Sequence, residues 1–278
     1  MVLCVLCIAK YPVFTFFNTK NICAMKMHSI SGDIFKISIQ ANRSAMPGGA
    51  YYTSGTRRIG ISSSVMVVLL GGLYAGSLSA GILSLKESKE PLGDPFFSII
   101  EFLIMALALL MVMVMVVIHA WALPDQKSYS LLALFFMSLL AGLTCCVHFM
   151  ILLVSRQITS ANMSWPLHFL SSNWPSIAYT TDVLAWDGFF GLSALFAAPL
   201  FRGDRLRSSI RFLLAASGIL SIIGLIGLPF DDMLLRMIGL LGHAVLFPLA
   251  VTLLAVLFYR SPPLTEGNTL LPARSDDI

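Results

Sequence analysis

Charge is what this sequence has least of. Asp, Glu, Lys and Arg make up 12% of the 278 residues, while 57% are hydrophobic. A soluble domain carries about 25% charged residues to cover its surface. This chain cannot cover itself in water, and a mean hydropathy of +0.85 makes lipid its expected solvent. Cysteine is thin as well. Cys4, Cys7, Cys23, Cys145 and Cys146 build no disulfide framework, because none falls in an expected exterior loop and the last two lie within an apolar span. Phosphate-cradling glycine loops, nucleophile elbows and zinc-protease motifs are missing too, so kinase and hydrolase chemistry have no support. The net charge of +4 is scattered between apolar runs rather than gathered on one patch. That scatter excludes a nucleic-acid surface and leaves the bilayer as the expected partner.

What is present is six apolar segments of roughly bilayer length, about 20 residues each. They are Ile61–Leu83, Pro95–Ala120, Tyr129–Val154, Ala178–Phe201, Ser209–Pro229 and Arg236–Tyr259. The fold class expected is an all-α integral membrane protein, a bundle of six transmembrane helices. Residues 1–60 form an N-terminal extension. Its first 45 residues hold four of the seven lysines and three of the five cysteines, whereas ten of the eleven arginines follow. That break is read either as an over-extended gene start, with translation beginning at Met46, or as a disordered cytoplasmic extension. Residues 260–278 are expected to be a disordered cytoplasmic tail.

Orientation follows from the positive residues. Lys127, Arg202, Arg205, Arg207, Arg211, Arg260 and Arg274 share the side of the N-terminal segment, against Lys86, Lys89, Arg156 and Arg236 opposite. Cytoplasmic loops carry the excess of Lys and Arg, so both termini are expected inside, N-in/C-in, in a plasma (inner) membrane.

Glycine patterns bear on packing. Gly72, Gly76 and Ala80 recur at every fourth position of the first span, a ridge that lets another helix approach closely. Gly218, Gly224 and Gly227 in the fifth span and Gly239 and Gly242 in the sixth read the same way. Ser155–Ile177, with Trp165-Pro166 and Trp174-Pro175, is the one long exterior connection and is expected to lie flat at the interface. It also contains a glycosylation sequon from Asn162 to Ser164, which matters only in a secretory pathway.

The residues that could carry chemistry are ionisable side chains inside these spans. A carboxylate in hydrocarbon costs at least a few kcal/mol and is seldom there without a partner. At 1.5 Å per residue, Asp182 lies about 6 Å deep from the outer side, Glu101 and His148 about 9 Å, His243 about 10 Å and Asp187 about 14 Å. Four helices therefore bring an ionisable group to the outer half of the membrane. One reading is a shared polar site that binds a cation, relays protons or holds a metal. The other is that each group finds a local hydroxyl or carbonyl and only fixes helix register. Asp187 shares a stripe with the small residues Gly191, Ala194 and Ala198, so it is expected in a close helix contact; Asp182 shares its face with Trp186, Phe189 and Ser193. Asp187 and His243 are expected to belong to one site. Pro248 removes an N–H from the sixth span and predicts a bend beside His243.

Metal chemistry is weakly supported, because no helix carries paired histidines or a Glu-x-x-His. Met111, Met115 and His119 share a face that could attract copper, but methionine is also a routine apolar filler. No cofactor is therefore expected. The function classes left open are a small-solute or proton/cation-coupled transporter, a non-catalytic membrane partner or assembly protein that pairs with another membrane protein or with itself, and a membrane-embedded metalloenzyme.

Overall fold

The computed structural model describes residues 51–85, 92–160, 176–230 and 232–263. The described residues form six helices long and apolar enough to cross a bilayer, and no strand. They define a multi-pass membrane protein. The helices are α1 (Ser54–Leu83), α2 (Phe96–Trp121), α3 (Lys127–Ser160), α4 (Ile177–Leu200), α5 (Arg205–Gly227) and α6, which runs as Met233–Leu241, Gly242–Leu246 and Phe247–Arg260.

Their starts are set by caps that the sequence supplies. Thr53 Oγ1 accepts the Thr56 N–H, Ser176 Oγ accepts the Tyr179 N–H, and Asp204 Oδ1 accepts the Arg207 N–H. Asp232 Oδ1 accepts two, from Leu234 and Leu235. Each satisfies a first-turn donor that would otherwise be stranded. Such caps carry helices beyond their apolar cores. This is why α1 begins at Ser54 rather than at Ile61, and α5 at Arg205 rather than Ser209.

Two corrections concern the connections and the glycines. Helix α3 continues through Ser160, so the connection to α4 does not begin at Ser155 as expected. Its two Trp-Pro pairs and the sequon lie outside the described residues, as do residues 1–45 and most of the tail. The ridge of Gly72, Gly76 and Ala80 does not pack within the bundle: all three are exposed, and a Cβ at either glycine would meet nothing within 4 Å. In α1 the close approaches are instead at Gly60, against Val117 and Phe258, and at Gly81, against Leu92 and Phe96.

The glycines of α5 and α6 do bring backbones together. A Cβ at Gly218 would lie 2.7 Å from the Gly191 carbonyl oxygen of α4. One at Gly224 would lie 2.5 Å from the Gly239 Cα of α6, and one at Gly242 2.6 Å from the Ser217 carbonyl oxygen. Helices α4, α5 and α6 thus meet along a seam with no room for side chains. Helix α4 is the most enclosed, with 67% of its most apolar stretch buried against 11% for α1.

The bundle has two unlike halves. At the end where α1 starts and α6 finishes, Met111, Met115, Ile118, Phe201, Leu214 and Phe258 form an apolar core, and Trp121 stacks on Phe201 with ring centroids 5.5 Å apart. Met111 and Met115 are core filling here, while His119 turns aside to Ser130 Oγ at 2.9 Å. Tyr52 donates its hydroxyl to the Phe258 carbonyl at 3.1 Å, and Arg57 reaches the Phe258 and Tyr259 carbonyls, tying the start of α1 to the end of α6. Burial pushes the Tyr52 phenol up to about 12, against the pull of Arg57. The other half holds Glu101, His148, Asp182, Asp187 and His243.

Candidate functional site

Polar residues of α2, α3 and α4 meet first. Glu101, near the start of α2, is 4% exposed. Its Oε2 lies 2.6 Å from His148 Nδ1 of α3, and His148 Nε2 lies 3.3 Å from Asp182 Oδ1 of α4. Both ring nitrogens therefore face carboxylate oxygens. An imidazole donates from both nitrogens only as imidazolium, so a neutral His148 could serve both contacts only if a carboxyl held a proton. A proton shared within this trio has more than one atom to sit on. Among the described residues no trio of His, Cys, Asp or Glu has metal-holding geometry.

The second group joins α4 to α6. Asp187 is 2% exposed, with Oδ2 3.5 Å from Arg236 Nη1 and Oδ1 3.5 Å from His243 Nδ1. Two glycines make its place. A Cβ at Gly224 would come within 3.2 Å of Oδ2, and one at Gly239 within 3.0 Å of Oδ1. The imidazole of His243 sits between Trp186 and Phe190, with ring centroids 5.5 Å and 6.0 Å away. Arg236 lies over the Tyr179 ring, 4.9 Å from its centroid. Four buried atoms here have no hydrogen-bond partner among the described residues: Asp187 Oδ1, His243 Nδ1, Arg236 Nε and Ser221 Oγ. Native structures rarely leave so many, and a cluster of them marks a strained or ligand-accepting place.

Both central residues lie on departures from the α-helix. Leu184–Phe189, which holds Asp187, and Gly242–Leu246, which holds His243, are π-helical turns. Such turns are rare, cost stability and recur at functional sites. In α6 the cause is visible: Pro248 has no N–H to give the preceding turn, and the wider turn ends just before it. Ser217 Oγ donates to the Gly242 carbonyl at 2.7 Å, which fixes the start of that turn.

The five residues singled out in the sequence thus fall into two adjoining groups, Glu101–His148–Asp182 and Asp187–His243. Asp182 and Asp187 stand five residues apart on α4, which sets the two groups next to each other along one helix. The faces of α4 divide as their residues suggest. Asp182, Phe189 and Ser193 turn to α3, with Ser193 Oγ donating to the Ala133 carbonyl at 2.7 Å and Phe189 stacked on Phe136. Trp186 departs from that face and turns to His243. Sequence reasoning counted Arg236 only as a topology charge. It stands seven residues before His243, two helical turns along one face, and that spacing was the available signal. Comparison with family models, curated proteins and solved structures returns no match, so this geometry stands without a relative to interpret it.

Proposed function

We propose that this membrane protein is a proton-coupled transporter of a small solute, with the two carboxylate–imidazole groups as its proton-handling centre. The observation that carries the reading is the linked chain Glu101–His148–Asp182 and Asp187–His243, five ionisable side chains from four helices within one half of the bundle. A structural role needs one hydrogen bond per polar residue. It does not need imidazoles facing carboxylates, nor two π-helical turns at the contact. In hydrocarbon, such residues lie on ion and proton pathways. The apolar core at the terminal end closes the bundle on that side, so the polar half faces the compartment away from the termini. With the positive-residue bias, that compartment is the exterior and both termini are cytoplasmic.

The test uses liposomes with a trapped pH dye, acidified outside in the presence of sugars, amino acids, organic acids or monovalent cations. Protein-dependent proton entry is expected with at least one solute class, and Asp187→Asn and His148→Gln should abolish it. Entry no faster than in protein-free liposomes for every class would overturn the reading. So would variants that conduct as well as the wild type. The second reading, a non-catalytic membrane partner, draws on the outward face of Gly72, Gly76 and Ala80, and it predicts those null outcomes.

A further inference from the structure

Resting on the proton-coupled reading, we infer that the solute is a small monocarboxylate, held by the Arg236 guanidinium in place of Asp187 and loaded together with a proton. Arg236 is the group the proton chain does not use, and its Nε is left without a hydrogen-bond partner among the described residues. A guanidinium offers five donors in a planar fork that fits a carboxylate through two parallel bonds. Asp187 meets it through one contact, at 3.5 Å, the outer limit for a hydrogen bond. Arg236 Nε is buried with no partner among the described residues, and the side chain is 19% exposed where Asp187 is 2% exposed. The fork therefore has an unpartnered donor and a partly exposed side chain, while its present counterion is buried.

An incoming carboxylate can take the fork in the bidentate way that Asp187 does not. Asp187 then loses its cation inside the membrane, where an unpaired carboxylate is neutralised by protonation. The groups that bear on it are Arg236 and His243 of α6, Asp182 of its own helix and, through Asp182, His148 of α3 and Glu101 of α2, with Tyr74 of α1 within electrostatic reach of those carboxylates. From α5 it meets Gly224, which has nothing to titrate. One anion in and one proton on Asp187 leave the net charge of the site unchanged. A dianion would leave a surplus charge in hydrocarbon, at a cost of a few kcal/mol or more. Tyr179 lies under the fork, and Trp186 and Phe190 flank the imidazole, aromatic surroundings that suit a short apolar body behind the carboxylate.

The experiment uses purified protein in detergent with sodium lactate, butyrate and benzoate as probes, each set against its amide. At least one acid should raise the melting midpoint by several degrees, as saturating ligand does, where its amide does not. In weakly buffered solution that binding should take up a proton. Arg236→Gln should lose the acid-dependent shift and Arg236→Lys, which keeps the charge without the fork, should weaken it. Asp187→Asn should keep the shift and lose the proton uptake. Acids that act no better than their amides in the wild type overturn the proposal, whether or not the variants fold. An unchanged shift in Arg236→Gln does the same, and proton uptake persisting in Asp187→Asn overturns the coupling. Proton entry in liposomes driven by a sugar or a cation alone would sink this substrate class and leave the transporter reading standing.

Discussion

Asp187 concentrates the energetic question at the scale of single residues. Its carboxylate is wedged between Gly224 and Gly239, with Arg236 and His243 each 3.5 Å away. Removing one member of a buried charged pair costs about 3–5 kcal/mol, mostly because the survivor is left unpaired. Asp187→Asn should therefore destabilise the protein in detergent by stranding Arg236, and Arg236→Gln by stranding Asp187. The double variant should cost less than the two together, with a coupling energy of about 0.5–3 kcal/mol. His243→Gln should couple to Asp187→Asn with the same sign, since Oδ1 and Nδ1 face one another. Strictly additive costs for both pairs would mean three residues that merely happen to be close. The sequence made Asp187 and His243 visible because both interrupt apolar runs. Arg236 was hidden by its place at a span's mouth, where an arginine ordinarily only reports which side of the membrane it faces.

Among the helices themselves, one sequence pattern has two outcomes. Small residues at every fourth position occur in α1, where they face outward, and small residues of α4, α5 and α6 form a seam. The pattern says that a backbone can approach, and says nothing about whether one does. The difference is decided by which helix follows, and α1 already spends its glycines Gly60 and Gly81 on α2 and α6. The contrast gives a direct check. Gly224→Ala and Gly239→Ala would drive a methyl into backbone at 2.5 Å and 2.8 Å, and Gly218→Ala at 2.7 Å. Each should lower stability by about 1–3 kcal/mol, as overpacking does. Gly72→Ala and Gly76→Ala should stay within about 0.5 kcal/mol of wild type, as exposed substitutions do. Thermal unfolding of the five variants in one detergent decides it, and equal losses in both sets would refute the seam. The π-helical turns were not legible in the same way. Pro248 signals a disturbance in α6, but no residue in Leu184–Phe189 announces one.

For the whole molecule, length and hydropathy were enough to find six helices, since each apolar run meets the bilayer's demand on its own. The helix ends were less legible, because caps such as Thr53 and Asp204 extend helices past the apolar boundary. The fold adds a constraint on orientation. An even number of spans brings both ends together, and Tyr52 and Arg57 bind the end of α6 directly. The polar half lies away from that end, so the sidedness of the termini also decides which compartment the ionisable residues face. Fusions of an alkaline phosphatase or a fluorescent reporter settle the matter. Those after Gln126 and Gly203, on the terminal side, should report the cytoplasm, and those after Lys89 and Ser171 the exterior, because Arg202, Arg205 and Arg207 crowd the terminal side. Reversing the charges of those three arginines should weaken or invert the pattern, since positive residues near span ends set the orientation. The opposite result at any two fusions of the unaltered chain would turn the bundle over and face Glu101, His148 and Asp187 toward the cytoplasm. The carboxylate and its proton would then enter from inside, and export would replace uptake.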